Sequence, residues 1–178
     1  MKITLVRHAQ IVEKYVGKYY GHLDMPLSKN GHQQAKNLAK KLKNEQFDKI
    51  YCSDLQRAVQ TLDAFEFTQE IIYTKELREK SWGIHEGKSF EEIEATGIKY
   101  ENFEQWLDAL DGESMKDYKQ RVYDCFYQTI ATSDANNILV ITHLGVIKTF
   151  ISLYNNIPLE EAFAETLNYT EYITLDFF

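Results

Sequence analysis

Proline and cysteine are scarce, with two of each in 178 residues. Cys52 and Cys125 stand far apart, with no neighbouring cysteine to make a metal or redox motif, so both are expected as buried thiols. No run approaches the ~20 apolar residues that cross a bilayer. The N-terminus offers only Lys2 and four further residues before Arg7, too little for a secretory signal, so no membrane association and a cytoplasmic location are expected. Positive charge is in deficit: 20 Lys+Arg against 27 Asp+Glu give a formal charge of −7. That balance argues against a nucleic-acid or anionic-membrane partner, so an anionic ligand needs a local concentration of cations. Arginine is scarcest among the cations, confined to Arg7, Arg57, Arg78 and Arg121. The five histidines, at 8, 22, 32, 85 and 143, form no helix-spaced pair with carboxylate partners, so no metal site is expected. Length and ordinary apolar content predict a single domain over 1–178.

What is present is organised around two apolar runs. Ile3-Thr4-Leu5-Val6 ends directly in Arg7-His8, and Ile138 to Thr142 ends directly in His143-Leu144-Gly145. If both are buried parallel strands, their C-terminal ends lie side by side at the sheet edge where α/β folds collect ligands. Either histidine alone reads as a polar cap on a strand end. Two in matching positions, with an arginine beside one, suit attack on a phosphoryl group: the guanidinium grips phosphate oxygens while a neutral ring nitrogen acts as nucleophile.

Between these runs the chain alternates strand and helix signals. A glycine-marked loop from Val16 to Leu27 leads to Ser28, an N-cap for a helix to about Asn44 with Ala35, Leu38, Ala39 and Leu42 as its apolar stripe. Phe47 to Cys52 predicts a second strand. Ser53 or Asp54 would then cap a helix bearing Arg57 in its first turn and Ala58, Val59, Leu62 and Phe65 on one face. A third strand is expected around Glu70 to Tyr73, then a loop from Leu77 to Gly87 and short helices at Phe90 to Ala95 and Phe103 to Leu110. Ser114-Met115-Lys116-Asp117 reads as a capping box opening a longer helix through Ile130; a helix from about Val146 and a last strand at Glu171 to Leu175 close the chain. The alternation predicts a three-layer α/β/α sandwich on a mostly parallel sheet.

Six segments in register carry a resemblance: Leu5-Val6-Arg7-His8-Ala9; Gly21-x-x-Asp24-x-Pro26-Leu27-x-x-x-Gly31-x-x-Gln34-Ala35; Tyr51-Cys52-Ser53-x-x-x-Arg57-Ala58-x-x-Thr61; Leu77-x-Glu79-x-x-x-Gly83-x-x-Glu86-Gly87; Gly112-Glu113-Ser114; and Val140-x-x-His143-x-Gly145. Together they resemble the histidine phosphatase superfamily, which includes cofactor-dependent phosphoglycerate mutases. The resemblance implies a phosphoglycerate mutase-like fold and a phosphomonoesterase working through phosphohistidine on a small phosphorylated metabolite, with no cofactor. It implies His8 as nucleophile, Arg7 and Arg57 as phosphoryl clamps, His143 as a further donor and Glu79 as general acid. Arg7, Gln10, Lys14, Gly21, Arg57, His143 and Leu144 are the implied substrate-binding set. Taken alone, Glu79 and Arg57 would read as solvated surface residues.

The chain departs from the pattern twice. Ala9 replaces the usual glycine after the histidine, and Lys14 stands where an asparagine is common, with Lys14 or Gln10 as substitute contacts. A mutase must also hold a substrate carboxylate, and no arginine lies between Arg78 and Arg121, which favours hydrolysis over phosphoryl transfer. The length and the Tyr-x-Gly-x-x-Asp-x-Pro-Leu pattern resemble the α-ribazole phosphatase branch. Tyr15, Tyr19 and Tyr20 would face an aromatic base or else serve packing. His22 and His32 read as surface residues, and His85 as solvated or pocket-lining. A module that binds phosphoryl groups without catalysis is the remaining alternative, and the oligomeric state is left open.

Overall fold

The structure, a computed structural model, describes residues 1–177. Five strands, β1 (Lys2–Arg7), β2 (Lys49–Ser53), β3 (Ile71–Thr74), β4 (Asn137–Thr142) and β5 (Tyr172–Asp176), lie in the order β3-β2-β4-β1-β5. All pair in parallel except β5, which runs antiparallel to β1 at the edge. The helices are α1 (Lys29–Lys41), α2 (Gln56–Leu62), α3 (Phe90–Glu94), α4 (Phe103–Ala109), α5 (Met115–Tyr123), α6 (Leu144–Asn155) and α7 (Leu159–Ala164). α5 runs on through Ile130 with its last turns widened to π geometry.

The continuous apolar runs are explained by burial on both sheet faces. Ile3, Leu5, Ile138 and Val140 face one cluster with Val122, Phe126, Ile147 and Phe150 from α5, its extension and α6. Val6, Leu139, Ile141 and Ile50 face the other, with Leu38 of α1 and Ala58 and Leu62 of α2. The sheet is thus the middle of three layers, as the sequence predicts. Register sets the site: Arg7 pairs with Thr142, and the His8 N–H donates to the Thr142 carbonyl at 2.9 Å. His8 and His143 therefore leave the sheet side by side.

Local corrections concern caps. α2 begins at Gln56 and is not capped by Ser53 or Asp54, whose side chains are taken by His143 and Arg78. Its free N–H at Gln56 donates instead to Asp24 Oδ1 at 2.8 Å, a cap supplied 32 residues upstream. Ser28 caps α1 as expected, accepting from Gly31 N at 2.9 Å, but α1 ends at Lys41. Ser114 accepts from Asp117 N, and its hydroxyl donates to the Asp117 carboxylate, replacing the reciprocal backbone bond of a capping box. A full box occurs at Ser89 and Glu92. α6 starts at Leu144, immediately after β4, and Phe65 lies beyond the end of α2.

Candidate active site

His8 is 2% exposed, and its ring Nδ1 lies 2.8 Å from the Ala9 carbonyl. A carbonyl can only accept, so Nδ1 carries the proton and Nε2 keeps its lone pair. Burial, then the Arg57 charge, hold the His8 pKa well below the ordinary histidine value, so the ring is neutral at neutral pH. The loop after β1 is fixed by Ala9 N–H donating to Thr61 Oγ1 at 2.9 Å, while the Ala9 side chain packs with Leu27 and Ala35. The methyl that replaces the expected glycine hydrogen therefore sits in an apolar niche.

Arg57 is fully buried in the first turn of α2, and all five of its N–H groups are engaged. Nε reaches His143 Nδ1 at 3.2 Å; Nη1 reaches Leu23 O at 3.0 Å and Met25 Sδ at 3.7 Å; Nη2 reaches Gly21 O at 2.7 Å and Tyr20 O at 3.5 Å. Because a guanidinium only donates, His143 Nδ1 is an acceptor and its ring proton lies on Nε2, directed at Ser53 Oγ at 2.8 Å. Burial and Arg57 push the His143 pKa down as well, so this ring too is neutral. Its centroid lies 5.1 Å from that of His8.

Arg7 sends Nη1 to the Leu167 carbonyl at 2.6 Å and lays its guanidinium 4.1 Å from the Tyr169 ring centroid. Its Nε is buried without a hydrogen-bond partner. The Tyr20 and Tyr169 hydroxyls meet at 3.1 Å, and both rings flank His8. Arg7, His8, Tyr20 and Tyr169 line a cavity of about 320 Å³ whose wall continues through Glu79, Tyr118 and Gly145. Beyond them the lining is mainly carbon, from Phe103, Leu107, Met115, Leu144, Leu159 and Phe163.

The Glu79 carboxylate is built in. Oε1 accepts from Lys80 N–H at 3.0 Å and from the Tyr118 hydroxyl at 2.8 Å; Oε2 accepts from Gly145 N–H at 2.8 Å, in the first turn of α6. The loop that carries it is strapped by Arg121, which donates to the Glu76 and Arg78 carbonyls at 2.7 and 2.9 Å and forms a two-pronged ion pair with Glu113. Glu113 belongs to the Gly112-Glu113-Ser114 segment, which thus contributes to loop placement.

The profile of the histidine phosphatase superfamily (branch 1) matches residues 3–178. The chain belongs to this superfamily. It is 30% identical to the adenosylcobalamin/alpha-ribazole phosphatase of Salmonella typhimurium over 168 residues, covering 89% of this chain and 81% of that protein. It is 32% identical to phosphoserine phosphatase 1 of Hydrogenobacter thermophilus over 154 residues, 80% of this chain and 71% of that one. The crystal structure of the alpha-ribazole phosphatase from Shigella flexneri superposes with a TM-score of 0.85 at 26% identity, covering 99% of this chain and 90% of the other. The phosphoglycerate mutase of Bacillus anthracis shares the fold, with a TM-score of 0.80 at 21% identity, 98% of this chain and 86% of that one.

Within this histidine phosphatase, several sequence-derived candidates stand elsewhere. Arg57 and His143 adjoin His8 but do not line the cavity, and the His143 proton expected on a phosphoryl oxygen goes to Ser53. Gln10 exchanges hydrogen bonds with Gln34 and Asn30, and Lys14 is exposed with its ammonium 5.2 Å from the Tyr15 ring; neither lines the cavity, nor does Tyr15. Gly21 acts from behind the wall: its carbonyl holds Arg57, its N–H meets Glu86, and a Cβ there would stand 1.8 Å from the Lys80 carbonyl oxygen. Leu144, Tyr19 and Tyr20 do line the cavity. His22 and His32 are exposed, and His85 is buried away from the cavity, accepting from Asp111 N at 3.0 Å. Tyr118, Thr149 and Tyr169 were missed; nothing in their sequence surroundings marks them. Glu86 takes the N–H groups of Gly21, His22, Leu23 and Trp82 and so anchors the glycine loop. Among the described residues no cluster of three His, Cys, Asp or Glu suits a metal, and no helix is long and apolar enough to cross a membrane.

Proposed function

We propose that this histidine phosphatase hydrolyses a small phosphomonoester in the cytoplasm, through phosphohistidine at His8 and without a metal. The observation that carries the proposal is the Nδ1–H bond to Ala9, which leaves Nε2 of a neutral ring as a nucleophile in a cavity that the Arg7 and Glu79 side chains also line. Nε2 attacks phosphorus, the ester P–O bond breaks, and Glu79 gives a proton to the departing alkoxide. Water then attacks the phosphohistidine and gives its proton to Glu79, and the P–N bonding pair returns to His8. Arg7 binds the phosphoryl oxygens directly. Arg57 acts as fixed positive charge beneath them and holds His143 and the 20–23 loop in place. A purely binding module is disfavoured because binding alone would not require both a nucleophile, His8, and a proton donor, Glu79.

Hydrolysis is favoured over mutase transfer because, among the described residues, Arg7 is the one arginine in the cavity wall. The carbon-lined end and the Tyr19 and Tyr20 rings suit a bulky, partly apolar alcohol such as that of α-ribazole 5'-phosphate, the kind of ester named for the Salmonella relative. A compact alcohol such as serine, named for the Hydrogenobacter relative, would leave that end unfilled. Rapid-quench turnover is expected to show acid-labile phosphate on the protein, absent in His8→Ala and unchanged by excess chelator. Turnover with no such intermediate, or labelling that persists in His8→Ala, overturns the proposal.

A further inference from the structure

Glu79 is held by three donors that are not chemically equivalent. Lys80 N–H and Gly145 N–H are backbone groups and can only donate, so they serve the carboxylate but give a carboxylic acid proton nowhere to go. The third donor is a hydroxyl, Tyr118 Oη, 2.8 Å from Oε1. By turning about its C–O bond a hydroxyl changes from donor to acceptor. Tyr118 is 3% exposed and shares the cavity wall with Glu79 and Thr149. Thr149 Oγ1 is buried outside hydrogen-bonding geometry with any group, yet lies close enough to the phenol to influence its ionisation. Gly145 and Thr149 are one helical turn apart on α6, so the same helix presents an N–H to Glu79 and a spare oxygen beside Tyr118.

We infer that Tyr118 is a positioning residue for the acid–base step: its hydroxyl donates to the Glu79 carboxylate, and turns to accept from the Glu79 carboxylic acid while its own hydrogen swings to Thr149 Oγ1. This rests on the proposal that Glu79 is the general acid. No proton leaves the phenol; burial and the Glu79 charge raise its pKa well above the ordinary value, so the tyrosine stays un-ionised in both states. The proton that moves is the one Glu79 gives to the leaving alkoxide and recovers from water. What the hydroxyl supplies is a partner for Oε1 on both sides of that transfer. With phenylalanine here the long Glu79 side chain keeps its fixed N–H donors but loses its only reversible partner, so its protonated form is held in place less well.

The test is Tyr118→Phe, which keeps the ring in the core and removes one oxygen. Single-turnover formation of phosphohistidine is measured with an alkyl phosphate, whose alkoxide needs a proton to leave, and with p-nitrophenyl phosphate, whose phenolate does not. The expected result is a loss on the order of tenfold on the alkyl ester, as for one hydrogen bond to a charged group, with the nitrophenyl ester within about twofold. Thr149→Val is expected to give a smaller loss of the same selectivity, and provides the measurement if Tyr118→Phe does not fold. In a Glu79→Gln background Tyr118→Phe is expected to cost nothing further. Equal slowing of both esters makes Tyr118 merely structural and overturns the inference. Unchanged rates in Tyr118→Phe, beside a selective defect in Glu79→Gln, overturn it while leaving Glu79 as the acid. If Glu79→Gln shows no selectivity, the assignment of Glu79 fails first and this inference with it.

Discussion

Gly145→Ala separates the position of the acid from the stability of the fold. Gly145 is the second residue of α6, and a Cβ built there stands 2.2 Å from Glu79 Oε1 and 2.8 Å from its carboxyl carbon. The backbone gives no reason for glycine: its φ is not in the left-handed region, and alanine in a helix gains up to about 1 kcal/mol over glycine. The clash is with the end of a flexible side chain, so Glu79 yields and loses the Gly145 N–H bond, a charge-assisted contact of ~1.5–3 kcal/mol that is discounted here because the cavity admits water. The two contributions oppose each other, leaving a net change under about 2 kcal/mol and a melting shift of no more than about 8 °C for a chain of this length. The catalytic effect has no such offset. A general acid contributes roughly 10²- to 10⁴-fold, about 3–5 kcal/mol, and a carboxyl moved by an ångström or more forfeits most of it. Single-turnover rates on an alkyl phosphate are therefore expected to fall at least about 100-fold, with p-nitrophenyl phosphate slowed no more than about threefold. An alkyl rate equal to wild type refutes the reasoning, and equal losses on both esters move the role of Gly145 to binding the phosphoryl group.

Arg57→Lys keeps the charge but cannot span His143, Leu23 and Gly21; weakened vanadate inhibition and a destabilisation of about 2–4 kcal/mol in urea unfolding are expected, whereas wild-type vanadate affinity would reduce Arg57 to a point charge. Asp24→Ala removes the remote cap of α2 and is expected to cost about 1 kcal/mol in the same assay, with no change in the leaving-group dependence of activity. His8 and His143 are both neutral in the fold with depressed pKa values, while the unfolded chain protonates each near 6.5. Stability is then complete above that pH and declines as pH falls below it towards the folded pKa values, by up to about 1.4 kcal/mol per histidine per pH unit; a melting temperature that holds constant from pH 7.5 to 5.5 would show that the rings charge without unfolding. For the same reason the acid limb of kcat/KM is expected below 6.5, since His8 attacks only when neutral.

The sheet was legible because its physics is local. A strand buried on both faces must be apolar throughout, and Ile3-Thr4-Leu5-Val6 and Ile138 to Thr142 are the runs that flank each other as β1 and β4. Their polar ends then have to meet, which puts Arg7, His8 and His143 in one place. Caps were less legible for an equally physical reason. A sequence shows which side chains stand near a helix start, but not whether another partner has claimed them, and Ser53 and Asp54 were claimed by His143 and Arg78.

The same distinction runs through the site. Residue type and spacing point to the charges, but not to which of their donors other groups already hold. Arg57 was expected to grip the phosphoryl group; its five N–H groups hold loop carbonyls, the Met25 sulfur and His143, which supports the proposed role as a fixed charge. Arg7 is the opposite case: one Nη donates to the Leu167 carbonyl and the guanidinium lies 4.1 Å from the Tyr169 ring centroid, while its Nε has no hydrogen-bond partner. A buried charged donor with no partner is costly. That cost falls on the Arg7 Nε and is spared Arg57, and it supports the proposed phosphoryl position at the strand end beside His8, in the cavity that Arg7 and Glu79 also line.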